Sequence, residues 1–171
     1  MGTYTALAAA WNSSTQPPTG VTGTALTGLT TAQKIAAVNA WTVKSAPIDV
    51  EVSTVVGWLS LNAKLSGLIK YAASAPSTAA GVAGAELVAV IQCPNAPAFQ
   101  TSQSAVYTTL SAMLSALAGD SNSGITSADA ANLLALSTPQ IPFVSAPVAQ
   151  GGAGLQQTTI SLNETTAAGL S

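Results

Sequence analysis

Apolar side chains recur every three or four residues along most of the first 138 positions, which is typical of amphipathic helices. The spacing predicts six helical segments, near residues 3–13, 30–44, 53–74, 78–92, 102–118 and 126–138. The third segment is interpreted as two helices or one bent helix, because Gly57 and Gly67 inside it indicate a break or a close helix approach. Val82 in the fourth segment and Val106, Leu110 and Met113 in the fifth are predicted to face the core.

Short polar residues mark the predicted helix starts. Thr30 and Gln33 have the spacing of a capping box, and so have Thr126 and Asp129, in which two backbone N–H groups are satisfied reciprocally. Residues 48–52 are expected to be a short extended segment that leads to an N-cap at Ser53, and Ser77 is predicted to cap the fourth segment. Residues 42–44 are expected to close the second helix, and residues 93–99, with two prolines, to stop the fourth.

The pattern changes at Pro139. From there to the end the chain has prolines, a Gly-Gly-Ala-Gly stretch and no helical stripe. Residues 158–162 alternate as a strand would, and Asn163 is a candidate cap for a last helical turn. We therefore predict an all-α fold, a compact bundle of about six short helices in residues 1–138, followed by an extended, partly irregular C-terminal arm in residues 139–171.

An arm that buries little of itself usually packs on a neighbour or stays disordered, and here we favour a neighbour. Its apolar side chains are therefore the predicted interface residues. They are Phe143, Val144, Leu155, Ile160, Leu162 and Leu170.

The charge content changes the picture of the surface. Charged residues make up 6% of the chain, against roughly 25% in a typical domain. Ions keep a protein surface hydrated and discourage association, so this surface favours an assembly in which neighbours cover much of it. The net charge of −2 argues against nucleic-acid binding, which needs a clustered basic surface.

The missing residue types narrow the chemistry. The chain has no His, the commonest general base and metal ligand, and its four cationic residues are all lysines, so no bidentate guanidinium clamp is available. We expect no cofactor and no metal. The only cysteine, Cys93, cannot form a disulfide within the chain and is interpreted as a small apolar filler.

Two candidate motifs have plainer explanations. Asp120 begins a stretch that resembles a calcium loop, but its Gly is fifth rather than sixth and its twelfth residue is Ala131, so a polar turn explains it better. Asp49 and Glu51 could act as a paired acid and base, although a solvated edge facing Lys44 is the preferred interpretation.

The lysines do not form a Ser-x-x-Lys pattern, so nucleophilic catalysis is disfavoured, and Lys34, Lys64 and Lys70 are predicted to lie on solvent-facing helix surfaces. Trp11, Trp41 and Trp58 lie on apolar stripes, where core packing is the usual role.

Membrane attachment is not expected from this sequence. No continuous apolar run approaches the roughly 20 residues that span a bilayer. The first residues lack a basic region followed by a long apolar core, and the myristoylation pattern that begins at Gly2 is incomplete because the sixth residue is Ala.

Four stretches of the chain resemble a group of small tailed-bacteriophage proteins that are encoded among virion structural genes. They are LTTAQKIAAVNAWTV, VSTVVGWLSLNAKLSGLIKYAA, PNAPAF and GITSADAANLLALSTPQIP, followed by the terminal AAGLS. The resemblance covers most of residues 26–142 and the last few, and it rests on helix caps and packing stripes, so no catalytic residue is carried over. Where that group has a Trp pair, this chain has Phe143 and Val144.

The resemblance implies a virion part. We expect an oligomerising structural subunit at the neck or tail, such as a fibre-to-tail adaptor, that forms a homo-oligomeric ring and binds other virion proteins after assembly in the host cytoplasm. A capsid decoration or cement protein is the alternative. A small hydrolase that uses Asp49 or Glu51 is the second alternative, and the chain is otherwise not expected to be an enzyme.

Overall fold

A computed structural model of the chain describes residues 4–12, 16–74, 77–93, 98–157, 159–167 and 169–170. Its helices are α1 Thr5–Asn12, α2 Thr31–Ala40, α3 Val52–Leu61, α4 Leu65–Ala73, α5 Ala79–Ile91, α6 Ser104–Gly119, α7 Ser127–Ser137 and α8 Leu162–Ala167. Its strands are β1 Val21–Thr22, β2 Thr42–Lys44, β3 Val50–Glu51, β4 Ala98–Phe99 and β5 Gln140–Pro142. The described part of the chain is therefore mostly helical, as expected, but it is not purely α-helical. Gly2 and the helix-stopping residues 94–97 lie outside the described ranges.

The chain folds as two compact units. Unit 1 consists of Met1–Ala46 together with Pro139–Ser171, and unit 2 consists of Pro47–Thr138. The sequence placed one boundary, between residues 138 and 139, and the structure has a second one after Ala46. The second boundary arises because both ends of the chain contribute to the core of unit 1.

A three-stranded antiparallel sheet organises unit 1. Strand β2 lies between β1 and β5, and Val43 is the residue that pairs with Val21 on one side and with Ile141 on the other. The expectation that residues 42–44 close the second helix was wrong. Helix α2 ends at Ala40 and the backbone of Trp41 is extended, because the fully buried Val43 is paired with strands on both sides.

Aromatic packing and one side-chain amide complete unit 1. The rings of Trp41 and Phe143 meet edge to face, with centroids 5.5 Å apart, and the Trp41 indole N–H donates to the Thr24 carbonyl over 2.9 Å. The Asn39 side chain accepts from the Ile160 N–H (2.7 Å) and donates to the Ile160 carbonyl (3.0 Å). The described core cluster is Leu7, Ala10, Trp11, Leu26, Val38, Trp41, Val43, Phe143, Val144, Ala146, Ala153, Leu155, Ile160 and Leu170.

The end of the chain forms helix α8 where a strand and a later cap were expected. The Ser161 N–H and hydroxyl both donate to the Glu164 carboxylate, over 2.7 and 2.8 Å. Asn163 therefore lies inside the helix instead of capping it. Thr158, the first residue of the expected strand, lies outside the described residues.

Unit 2 contains α3–α7 and the antiparallel pair β3 and β4. Helices α3 and α4 are separate and meet at 103°, in agreement with the interpretation of this segment as two helices or one bent helix. Gly57 and Gly67 mark neither a break nor a close helix approach, because both lie inside helices and a Cβ at either position would meet nothing within 4 Å. The bend lies at residues 62–64, where Ala63 adopts a left-handed backbone with φ 55°.

Two predicted N-caps in unit 2 were displaced. Helix α3 begins one residue before Ser53, after an N-cap position held by Glu51, and Thr78 rather than Ser77 caps α5 by accepting from the Gly81 N–H. The predicted capping box of Thr126 and Asp129 is confirmed.

Small residues let helices approach closely in the core of unit 2. A Cβ on Gly84 of α5 would lie 3.2 Å from the Tyr71 ring and 3.5 Å from Leu117. The buried face of α5 includes Ala80, Ala83, Gly84, Leu87 and Val88, which recur every three or four residues. Val82 was predicted to face the core, but it is not part of this face and is about half exposed. Leu59, Leu68 and Leu117 are fully buried at the centre.

No single described helix is long and apolar enough to cross a membrane. Helices α3 and α4 satisfy the length and composition criteria only when they are taken together, across their 103° bend. Both helices contribute fully buried leucines, Leu59 and Leu68, to the core of unit 2.

Candidate protein-binding groove

The predicted interface residues of the C-terminal arm are mostly buried inside unit 1. Phe143, Val144, Leu155, Ile160 and Leu170 all belong to its core cluster, while Leu162 is 59% exposed. The arm was expected to offer these side chains to a neighbour. Instead, five of the six pack within their own unit, because the N-terminal segment supplies Leu7, Trp11 and the other apolar partners they need.

The arm is also folded back on itself rather than extended. The Ala153 N–H donates to the Phe143 carbonyl over 2.8 Å, and the Leu155 N–H donates to the Val144 carbonyl over 2.9 Å. Gly152 allows this return, since a Cβ there would lie 2.2 Å from the Ala146 carbonyl oxygen. The Gly-Gly-Ala-Gly stretch is thus a tight turn that closes the core.

The two carboxylates considered as an acid and base pair are engaged separately. Asp49 accepts the Ser102 N–H over 2.9 Å, and the hydrogen bonds from Ser102 lower the pKa of Asp49. Glu51 accepts from the Ser53 hydroxyl over 3.1 Å. Both residues are exposed, which confirms the solvated edge, but among the described residues neither carboxylate forms an ion pair with Lys44. The two groups hold local chain turns in place.

The loop that resembled a calcium site is a polar turn. Asp120 accepts from the Tyr71 hydroxyl (2.7 Å) and from the Asn122 N–H (2.9 Å), and the Tyr71 hydrogen bond is the main cause of its lowered pKa. Burial, followed by the same hydrogen bond, raises the pKa of Tyr71. In the described ranges no three His, Cys, Asp or Glu side chains are grouped so that they could hold a metal ion.

Lys34 and Lys64 were expected to be solvated, but both make contacts within the protein. The Lys64 ammonium donates to the Gly124 carbonyl and pairs with Asp129, at 2.9 Å in each case, and this pairing is the main cause of the lowered pKa of Asp129. The Lys34 ammonium lies 5.5 Å from the centre of the Trp11 ring, within the range of a cation–π contact. Lys64 thereby ties the α3–α4 corner to the start of α7.

The feature of unit 2 best suited to binding is an apolar groove between α5, β4 and α6. It has a volume of about 340 Å³, and Glu86 is the only charged residue that lines it. Its other lining residues are Leu87, Val90, Phe99, Ala105, Val106, Thr109, Leu110 and Met113.

The floor of the groove reaches the core of unit 2. A small cavity of about 10 Å³ below it is lined entirely by apolar residues and shares Leu87, Phe99 and Leu110 with the groove. A void of this size and lining does not favour a bound water molecule, so the floor of the groove is apolar.

The apolar stripe of α6 contains the groove residues that sequence reasoning assigned to the core. Leu114 and Leu117 are buried as predicted, but Val106, Leu110 and Met113 are only partly buried. Gly84 of α5 lies against Leu117 of α6, and the two helices run antiparallel. Because both rise equally per residue, the end of α5 at Ile91 falls near Leu110. The first turns of α6 therefore project beyond α5 and leave the groove open.

Comparisons with known proteins do not assign the chain to a family. No protein-family model, no curated protein and no solved structure matches it. The resemblance to phage virion proteins therefore stays a prediction.

Proposed function

We propose that the chain is a structural subunit of a tailed-bacteriophage virion that oligomerises at the neck or tail, as a fibre-to-tail adaptor would. The observation that carries the proposal is the open apolar groove of unit 2, on a chain of which only 6% is charged. Exposed apolar surfaces rimmed by polar residues mark sites of protein association. A sparsely charged surface also lowers the desolvation cost of covering it with a neighbour.

The lining of the groove favours binding over catalysis. Its polar side chains are the Glu86 carboxylate and the Thr109 hydroxyl, which do not combine a nucleophile with an activating base and a stabilising cation. Asp49 and Glu51, the residues of the hydrolase alternative, do not line the groove. The proposed role is therefore that of a non-enzymatic building block.

In this proposal binding is a property of unit 2, whose helices α3–α7 are part of the six-helix bundle that the sequence predicted for residues 1–138. The C-terminal segment takes a different role from the predicted arm, because its apolar side chains hold unit 1 together. The partners are further copies of the chain, arranged in a ring, and other virion proteins, with no nucleic acid and no membrane involved. The place of action is the virion, assembled in the host cytoplasm.

Two measurements test the proposal together. Sedimentation velocity of the purified chain over a range of concentrations is expected to give a mass that is a multiple of 16.8 kDa. Mass spectrometry of purified particles is expected to detect the chain at a low, fixed copy number. A strict monomer that is missing from the particles contradicts the proposal, and a copy number that matches the capsid subunit supports the decoration alternative instead.

A further inference from the structure

We propose that the groove of unit 2 receives Leu61 from a second copy of the chain, so that the subunits associate head to tail. This inference rests on the proposed function and deepens it, because it names the two surfaces through which the subunits would join. The occupant is thus a corner of the protein itself, the α3–α4 corner formed by residues 61–64.

Leu61 is the most exposed large apolar residue in the described part of the chain. It ends α3 and is 89% exposed. The next most exposed, Val148, is 63% exposed. A leucine held in water at the end of a helix leaves apolar area uncovered, and burying that area against another apolar surface is favourable.

The corner presents Leu61 on a rigid support. Ala63 occupies the left-handed backbone region, which is unfavourable for a non-glycine residue and persists only where the surroundings hold it. The surroundings do so here through the Lys64 N–H, which donates to the Leu59 carbonyl (2.8 Å), and the Asn62 amide, which donates to the Trp58 carbonyl (2.8 Å). The Lys64 ammonium adds its bonds to Gly124 and Asp129.

The corner and the groove lie toward opposite ends of α6. The corner is tied to Gly124, just beyond the end of α6 at Gly119, whereas the groove lies along residues 105–113 of the same helix. With a rise of 1.5 Å per residue, ten residues of helix separate the middle of the groove from the helix end by about 15 Å. One unit can therefore hold the corner of a neighbour while its own corner remains free.

Charge favours a contact between the two different surfaces. Glu86 is the only charged residue that lines the groove. At the corner, Lys64 is paired with Asp129 of its own subunit, and Lys70 lies in α4, the helix that follows the corner. Groove-to-groove contact would bring two Glu86 carboxylates together, a repulsion that corner-to-groove contact avoids.

Two different surfaces joined in this way form a heterologous contact. Such contacts close into rings when the rotation between neighbours allows it, and otherwise extend as filaments. The inference therefore agrees with the ring expected of a neck or tail subunit.

The first test removes each surface separately. Leu61→Ser removes the exposed side chain, and Val106→Glu places a charge in the groove at a residue that is not part of the core cluster. Both variants are expected to keep the helical circular dichroism of the wild type and a cooperative thermal unfolding transition, and to sediment as monomers where the wild type is assembled. The matched controls Leu162→Ser and Val82→Glu, at exposed positions outside the groove, are expected to assemble as the wild type does.

The second test mixes the two variants. Leu61→Ser keeps an intact groove and Val106→Glu keeps an intact corner, so an equimolar mixture is expected to form dimers although each variant alone stays monomeric. Assembly of Leu61→Ser like the wild type, or loss of assembly in Leu162→Ser instead, overturns the inference, and so does a mixture that stays monomeric. If the wild type itself is a strict monomer, this inference and the oligomeric part of the proposed function both fail, whereas an assembled wild type with unaffected variants sinks this inference alone.

Discussion

The two units of the molecule are stabilised in different ways. Unit 1 closes its core with contacts between distant parts of the chain, such as Asn39 with Ile160, which are 121 residues apart. Unit 2 is continuous and packs successive helices against one another. The difference shows that a single chain can join a core built from local patterns to a core built from long-range pairing.

Charge separates the units as well. Unit 2 contains five carboxylates and two lysines, a side-chain net charge of −3, and unit 1 contains two lysines and one carboxylate, a net charge of +1. In unit 2 the pair Lys64–Asp129 and the bond from Tyr71 to Asp120 link separate helices and turns. In unit 1 the corresponding links come from Asn39 and from backbone groups, which are neutral, and the one charged link described there is the cation–π contact of Lys34 with Trp11. Acid and salt should therefore affect the units unequally.

The largest effect is expected from truncation of the core of unit 1. Phe143→Ala removes a fully buried ring that packs on Trp41, which typically costs about 3–5 kcal/mol. Hydrogen exchange should then speed up in unit 1 while the amides of α4–α6 stay protected. Leu117→Ala, in the centre of unit 2, is the matched control and should have the opposite distribution. Equal loss of protection throughout the chain after Phe143→Ala would show one cooperative unit and break the comparison.

The next effect concerns the link across 121 residues. Asn39→Ala leaves the Ile160 N–H and carbonyl, which are partly buried, without their partner, so the unfolding free energy of unit 1 should fall by about 1–3 kcal/mol. Chemical denaturation followed by tryptophan fluorescence measures the change in a Trp58→Phe background, in which Trp11 and Trp41 of unit 1 are the reporters. Asn62→Ala serves as the control, because it removes one exposed side-chain hydrogen bond in unit 2. The loss of unfolding free energy should be smaller in this variant. A larger loss in the control would mean that the Asn39 amide is not a main link of unit 1.

A smaller effect should appear in acid. The pKa of Asp129 is lowered in the folded state, mainly by Lys64, so its contribution to stability is complete above the unfolded pKa of about 3.9 and is lost as the pH falls through the folded value. Asp129→Asn should therefore reduce stability by about 0.2–1 kcal/mol at neutral pH and make unit 2 less sensitive to acid. Thermal unfolding between pH 2 and 7, values that span roughly the titration range of carboxylates, measures this dependence. An unchanged acid slope in the variant would contradict the assignment.

An effect of similar size is a gain in stability. Gly67 lies inside α4, and a Cβ there would meet nothing within 4 Å, so Gly67→Ala should stabilise unit 2 by about 0.5–1 kcal/mol through helix propensity alone. Gly152→Ala is the contrasting variant, because its Cβ would collide with the Ala146 backbone, and it should destabilise unit 1. Differential scanning calorimetry resolves both signs. A loss of stability in Gly67→Ala would mean that this glycine has a packing role.

Local signals predicted those parts of the fold that depend on neighbouring residues. Both capping boxes, Thr30 with Gln33 and Thr126 with Asp129, are confirmed, since a cap needs only residues three positions apart. Strand β2 was missed because Val43 finds one of its partners, Ile141, about 100 residues further along. The anchoring role of Lys64 was missed for the same reason, since Asp129 is distant in sequence.

The groove could be predicted only in part. The stripe of α6 indicated that Val106 and Leu110 face inward, but a stripe does not show whether the partner helix is long enough to cover it. Here α5 has 13 residues and α6 has 16. The two helices are antiparallel with Gly84 against Leu117, so α5 ends before it covers the first turns of α6. The exposure of Leu61 was likewise not predictable from the sequence pattern, because it depends on where α3 ends and the chain turns, at residues 62–64.

The central claim, that the groove of one subunit holds the corner of the next, is tested most directly by photocrosslinking from position 61. A benzophenone amino acid is incorporated at that position, the full-length protein is irradiated, and the crosslinked dimers are mapped by mass spectrometry. Crosslinks are expected from position 61 to residues 86–90 or 105–113 of another copy, which contain most of the residues that line the groove. Crosslinks to other regions only, or no crosslinked dimer where the wild type is assembled, would contradict it.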